Sequence, residues 1–136
     1  MRVVLDTNIL VAALLTRGTP PDKLYEAWRD GRFQLASCER QLEEINRVSR
    51  RAFFKERLPP GAAGRMVNDI RALALMCDPL PKVGGSPDPD DDFLLATAQA
   101  AGAEFLVTGD KSGLLALKKR GVTTILTAKA LLDRLT

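Results

Sequence analysis

The sequence contains no histidine. That absence removes Ser-His-Asp and Cys-His catalysis, imidazole-built zinc sites and histidine general bases. Any chemistry has to run on carboxylates, lysines, or a metal held by oxygen. Cysteine is scarce as well: Cys38 and Cys77 stand alone, without CxxC spacing. They read as reduced structural thiols, which fits a cytoplasmic protein. No apolar run approaches the roughly 20 residues of a membrane span. The amino terminus lacks a basic leader with an apolar core and a cleavage site, so export is not expected. Aromatics make up only 5% of the chain, and most fall at core spacing, which argues against base stacking as a main mode of binding.

What is present fits a soluble globular domain. The 136 residues are the size of one ordinary domain, expected to span 1–136, and 46% hydrophobic content is enough to bury a core. Twenty basic against seventeen acidic residues give a formal charge of +3, mildly favourable for a polyanionic partner and decisive of nothing alone.

Along the chain, short apolar runs alternate with helical periodicity. Val3-Val4-Leu5 is a branched run typical of a strand buried on both faces, and Ile9–Leu15 continues as a packed helix. Thr19 and Pro20 open a helix that Gly31 stops, and Phe33–Ala36 is a short strand. Ser37 is expected to cap a helix running to about Arg51, with Phe53 and Phe54 plugging the junction to the next. That next helix opens at Pro59-Pro60 and ends near Met76-Cys77. The Pro/Gly-rich stretch from Asp78 to Asp90 reads as a long, mobile loop before a helix from Asp90 to Ala101. Glu104–Thr108 is a strand, Ser112–Arg120 a helix, Thr123–Leu126 a last strand, and Thr127 caps a helix over Ala128–Leu135. This alternation predicts a three-layer α/β/α fold with a short central parallel sheet of about four to five strands.

The chemistry is in the carboxylates. Asp6 ends the first buried strand and Asp110 follows the strand Phe105–Thr108, so both are expected on the carboxyl edge of the sheet. Ligands gather at that edge in α/β folds; for one such Asp an N-cap is the commoner explanation, while the pair points to a shared site. In the helix after Ser37, Leu42, Ile45 and Val48 set the buried stripe. At about 100° per residue Glu44 lies beside that stripe while Glu43 points away, so Glu44 is the one able to reach the edge. Its ordinary alternative is a flank salt bridge with Arg47 or Arg40. Asp88, Asp90, Asp91 and Asp92 crowd one helix start, where the helix dipole favours anions but four exceed what capping needs. Asp91 lies nearer the Leu94/Leu95/Ala98 side than Asp92 does, and is the better ligand. Carboxylates without histidine or cysteine suit a hard cation such as Mg²⁺, which keeps waters and takes few protein ligands. Asn8 could orient Asp6 or a coordinated water, and Thr108 could donate to a carboxylate or a phosphate oxygen. The spacing describes an acidic metal site without naming its reaction.

Four blocks carry a resemblance: Val3-Val-Leu-Asp6-Thr-Asn8, Leu42-Glu-Glu44-Ile-Asn-Arg-Val48, Asp88-Pro-Asp-Asp91-Asp-Phe-Leu-Leu-Ala-Thr-Ala98 and Leu106-Val-Thr108-Gly-Asp110. In that order, spanning most of the chain, they resemble the PIN domain, and more closely its toxin branch in toxin–antitoxin pairs. The resemblance implies an Mg²⁺- or Mn²⁺-dependent ribonuclease whose acidic quartet maps onto Asp6, Glu44, Asp91 and Asp110, with Asn8 and Thr108 in support. Asp92 is the neighbouring alternative to Asp91. It implies hydrolysis of RNA to 5′-phosphate and 3′-hydroxyl ends, a cognate antitoxin that covers the site, and a homodimer. Arg47, Arg50, Arg51 and Lys111 are candidate RNA contacts, though such runs are commonly just solvated helix faces. A phosphatase that uses a second Asp two residues after the first is excluded by Asn8. The remaining rival is a PIN-fold module that binds RNA or protein without cleaving.

Overall fold

The computed structural model describes residues 1–136. Strand β1 (Arg2–Leu5) leads into α1 (Thr7–Leu15) and α2 (Pro20–Arg29), then β2 (Gln34–Ser37), α3 (Glu39–Ser49), α4 (Ala52–Arg57), α5 (Ala62–Leu73) and β3 (Leu75–Met76). A 3₁₀ turn (Pro89–Asp91) precedes α6 (Asp92–Ala101) and β4 (Phe105–Val107). A second 3₁₀ turn (Leu114–Leu117) is followed by β5 (Lys119–Arg120), β6 (Thr123–Leu126) and α7 (Ala128–Leu135). The sheet has six strands in the order β3-β2-β1-β4-β6-β5. All neighbours are parallel except β5, which runs antiparallel to β6.

The alternation of side chains along each strand builds the three layers. Val3, Leu5, Leu35, Val107 and Leu126 point into a core shared with α1, α2, α3, α5 and α7. Val4, Ala36, Leu106 and Ile125 point to the other side, where α6 and Leu114 cover them. The α/β/α fold is therefore lopsided, with six helices on one face, α4 joining through Phe54, and α6 alone on the other. That explains why α6 reads as hydrophobic almost all round: Phe93 to Ala98 are all buried.

The chain steps from β1 outward through β2 to β3, then returns to lay β4 and β6 on the opposite side of β1. The order reverses between β1 and β4, and a parallel sheet opens a crevice at the carboxyl ends of the strands at such a switch point. Asp6 and Thr108 both stand there, one residue beyond the register pair Leu5 and Val107.

The sheet exceeds four to five strands because Leu75–Met76 and Lys119–Arg120 form two-residue edge strands where helical sequence was expected. Ser37 does not cap α3: it belongs to β2, its hydroxyl bonds Gln41 at 2.6 Å, and Cys38 occupies the cap position. The open N–H of Glu39 is taken instead by Asp78 Oδ2 at 3.0 Å, from across the sheet edge. The stretch from Asp78 to Asp90 is anchored: Leu80 and Val83 pack on the α6 core, and the N–H of Ser86 donates to Asp92 Oδ1 at 3.0 Å. Phe54 packs partly on the main core, whereas Phe53 is 53% exposed and plugs nothing. Thr19 leaves its helix uncapped by side chain and donates to the Thr16 carbonyl.

Candidate active site

Asp6 is the innermost of the acidic residues, only 7% exposed at the end of β1. A carboxylate there survives because its lone pairs are used. The Thr108 hydroxyl donates to Oδ2 at 2.8 Å, and the backbone N–H of Asn8 donates to Oδ1 at 3.3 Å as the cap of α1. Burial pushes the Asp6 carboxyl up from its ordinary range; these two bonds pull it back, and the nearby charge of Asp110 pushes it up further. Asp6 is thus both a helix cap and a buried anion facing another anion.

Asp110 sits in a tight turn after β4 and is exposed. Its Oδ1 accepts from the Ser112 hydroxyl at 3.2 Å and the Gly113 N–H at 3.0 Å, and its own N–H donates to Thr108 Oγ at 3.3 Å. Thr108, fully buried, therefore links both carboxylate-bearing loops. Glycine at 113 leaves room for this carboxylate: a Cβ there would lie 2.2 Å from Asp110 Oδ2, and the side chain would have to move.

Glu44 lies on α3 at the margin of the buried stripe, its side chain 19% exposed, while Glu43 is fully on the solvent side. It also keeps the ordinary partner, Arg47, at 3.4 Å. The orientation of α3 is set by Gln41, one turn earlier. Gln41 is 1% exposed, donates to the Leu5 carbonyl at 2.7 Å and accepts from Ser37. It ties α3 to the residue just before Asp6, and the sequence reading had no signal for it beyond a polar residue on the buried side of a helix.

Asp91 feels the charge of the other candidates. Desolvation first, and then the charges of Asp6, Asp88, Glu44 and Asp110 in that order, push its carboxyl up to about 6. Asp92 has a different job, accepting the Ser86 N–H and holding the preceding loop. The neighbours that raise Asp91 are the other three members of the quartet plus Asp88, a member of the acidic run outside the quartet, which caps the 3₁₀ turn by accepting from the Asp90 N–H. Asn8 stands exposed at the start of α1, and Arg47, Arg50, Arg51 and Lys111 are all exposed. Arg47 and Lys111 adjoin Glu44 and Asp110, whereas Arg50 and Arg51 lie further along, at the junction of α3 and α4.

The arrangement is an open rim. No cavity is lined by Asp6, Glu44, Asp91 or Asp110; the most capacious, about 570 Å³, lies around Arg17 and Tyr25. No three acidic or thiol side chains are close enough together to clasp an ion as they stand.

A family model described as PIN domain matches residues 2–112. The chain belongs to the PIN domain family. No curated protein and no solved structure matches it. PIN domains are generally nucleases and usually use divalent metal ions. The donor set here fits such an ion: every candidate atom is a carboxylate, hydroxyl or amide oxygen, and the mutual repulsion centred on Asp91 is what a divalent cation relieves.

Proposed function

We propose that this PIN domain is a Mg²⁺- or Mn²⁺-dependent endoribonuclease, and that it serves as the toxin of a toxin–antitoxin pair. One observation carries the first part. Asp91 is raised to about 6 by burial and by Asp6, Asp88, Glu44 and Asp110, a cluster of like charges with no lysine or arginine among the causes of its shift. Near neutral pH such a cluster calls for a cation.

Asp6, Asp91 and Asp110 would hold the ion, with Glu44 beside them. When bound, it supplies a nucleophile from water and neutralises charge growing on a phosphodiester. The chain's own residues prepare this. Thr108 and the Asn8 N–H favour the ionised form of Asp6 against its burial. The Ser112 hydroxyl and Gly113 N–H both fall on Oδ1 of Asp110, fixing that side chain in the turn. Arg47 and Lys111 stand where a polyanion approaching the rim meets positive charge, and an open rim admits a long chain. RNA as the polymer, and the roles of an antitoxin and a homodimer, rest on the resemblance of the four sequence blocks.

Purified protein is expected to cleave single-stranded RNA with Mg²⁺ or Mn²⁺ and to stop with EDTA. Asp6→Asn and Asp110→Asn variants that cleave as fast as the wild type would show the reading to be wrong. A module that only binds would retain labelled RNA intact at every metal concentration. For the toxin role, induced expression should arrest growth for the wild type and not for Asp6→Asn; harmless overproduction in the native host counts against it. Co-expression with the product of an adjacent small reading frame should relieve the arrest.

A further inference from the structure

Phe53 lies on α4 with its ring 53% exposed, yet it is organised. The Arg57 guanidinium stacks over it at 4.0 Å from the ring centroid, and the edge of Phe54 meets it at 5.1 Å. Arg57 Nη1 donates to the Phe53 carbonyl at 2.8 Å, which holds the guanidinium over the ring. A single exposed phenylalanine is ordinary. Arg57 also lies 3.8 Å from Glu56 and stays half exposed, so the stacked ring and guanidinium present a planar surface to solvent.

We infer that the Phe53–Arg57 stack is a platform for one base of a single-stranded RNA, with Arg47, Arg50, Arg51 and Lys55 contacting its phosphates. Unpaired bases stack on aromatic rings and on guanidinium planes whatever their identity. Charge selects the occupant. Between Ile45 and Arg57 there are five cations and one carboxylate, Glu56. A second copy docking symmetrically would set these like charges against each other. The cations run back along α3 toward Glu44; from Glu44 to Arg50 is about 9 Å along the helix axis. From Arg50 the cations continue through Arg51 into α4, so a strand lying along them leads from the acidic rim toward the platform. The class of substrate rests on the ribonuclease reading; the stacking does not.

The test measures fluorescence anisotropy in EDTA with two labelled probes, a short oligoadenylate and an abasic strand of equal length. Phe53→Ala is expected to weaken oligoadenylate binding about tenfold, the loss of one stacked base. It should leave the abasic strand unchanged, and Phe53→Trp should restore affinity. The exposed ring predicts a melting temperature like that of the wild type. Equal oligoadenylate binding by Phe53→Ala, equal losses on both probes, or no binding of either probe by the wild type would each overturn the platform. Cleavage is read separately. Metal-dependent cleavage with KM unchanged in Phe53→Ala removes the platform and leaves the ribonuclease standing. Stacking-dependent affinity without any cleavage does the reverse.

Discussion

The Asp91→Asn substitution should change the sign of its effect on stability when a divalent metal is added. In the metal-free protein Asp91 titrates near 6 against an ordinary 3.8. The folded state therefore binds more protons than the unfolded one between those values. Stability from this group is fully present below about pH 4 and is lost as pH rises through 6. A difference of about two units corresponds to about 3 kcal/mol in an unscreened site. Asp91 is partly exposed, and solvent screening reduces that to about 1 kcal/mol at pH 7. The dipole at the start of α6 favours the anion by about 0.3–1 kcal/mol in a favourable position, and here it is outweighed by burial and four carboxylates. Removing the charge should thus raise the melting temperature in EDTA at pH 7 by about 3 °C. With Mn²⁺ at about 100 times its Kd the wild type gains about 2.7 kcal/mol, most of which the variant forfeits, and the order reverses. The same proton makes Mn²⁺ binding weaken as pH falls through about 6. Differential scanning fluorimetry with EDTA and with Mn²⁺ reads both effects. A variant less stable than wild type in EDTA, or equal Mn²⁺ shifts in the two proteins, would refute the reasoning.

Three further outcomes follow from the geometry. Thr108→Val removes the hydroxyl that donates to Asp6 at 2.8 Å, and should lower urea stability at pH 7 by about 1.5–3 kcal/mol, the worth of a hydrogen bond to a charged group, with a smaller loss at pH 4. Gly113→Ala must displace the Asp110 carboxylate; Mn²⁺ affinity by calorimetry should fall about tenfold or more while the fold melts cooperatively. Gln41→Leu keeps the bulk but strands the Leu5 carbonyl and the Ser37 hydroxyl, costing about 2–4 kcal/mol in denaturant unfolding; a loss under about 0.5 kcal/mol would mean that Gln41 does not fix α3.

Much of the frame is legible in local pattern. The branched run at Val3–Leu5, the 3.6-residue stripe of Leu42, Ile45 and Val48, and the Thr127 cap before Ala128–Leu135 each follow from residues a few positions apart, and the structure reproduces them. The separation of Glu44 from Glu43 follows from the same periodicity, because a helix fixes which face each side chain takes. That Asp6 and Asp110 share an edge follows from chain direction in a parallel sheet.

Other features depend on contacts between residues distant in the chain. The two-residue strands β3 and β5 are too short to carry a period, and exist only because β2 and β6 offer hydrogen-bonding edges. The cap of α3 comes from Asp78, thirty-nine residues on. Phe53 looks like core by composition, yet α4 packs Phe54 partly on the core and turns Phe53 out. Among the acidic run, sequence ranks Asp91 above Asp92 only by angle on a wheel. The tertiary structure separates them by what each meets: a backbone N–H at Ser86 for Asp92, and four other carboxylates for Asp91. Periodicity assigns a side chain to a face, but its desolvation and its charged neighbours are sums over groups that only folding brings together.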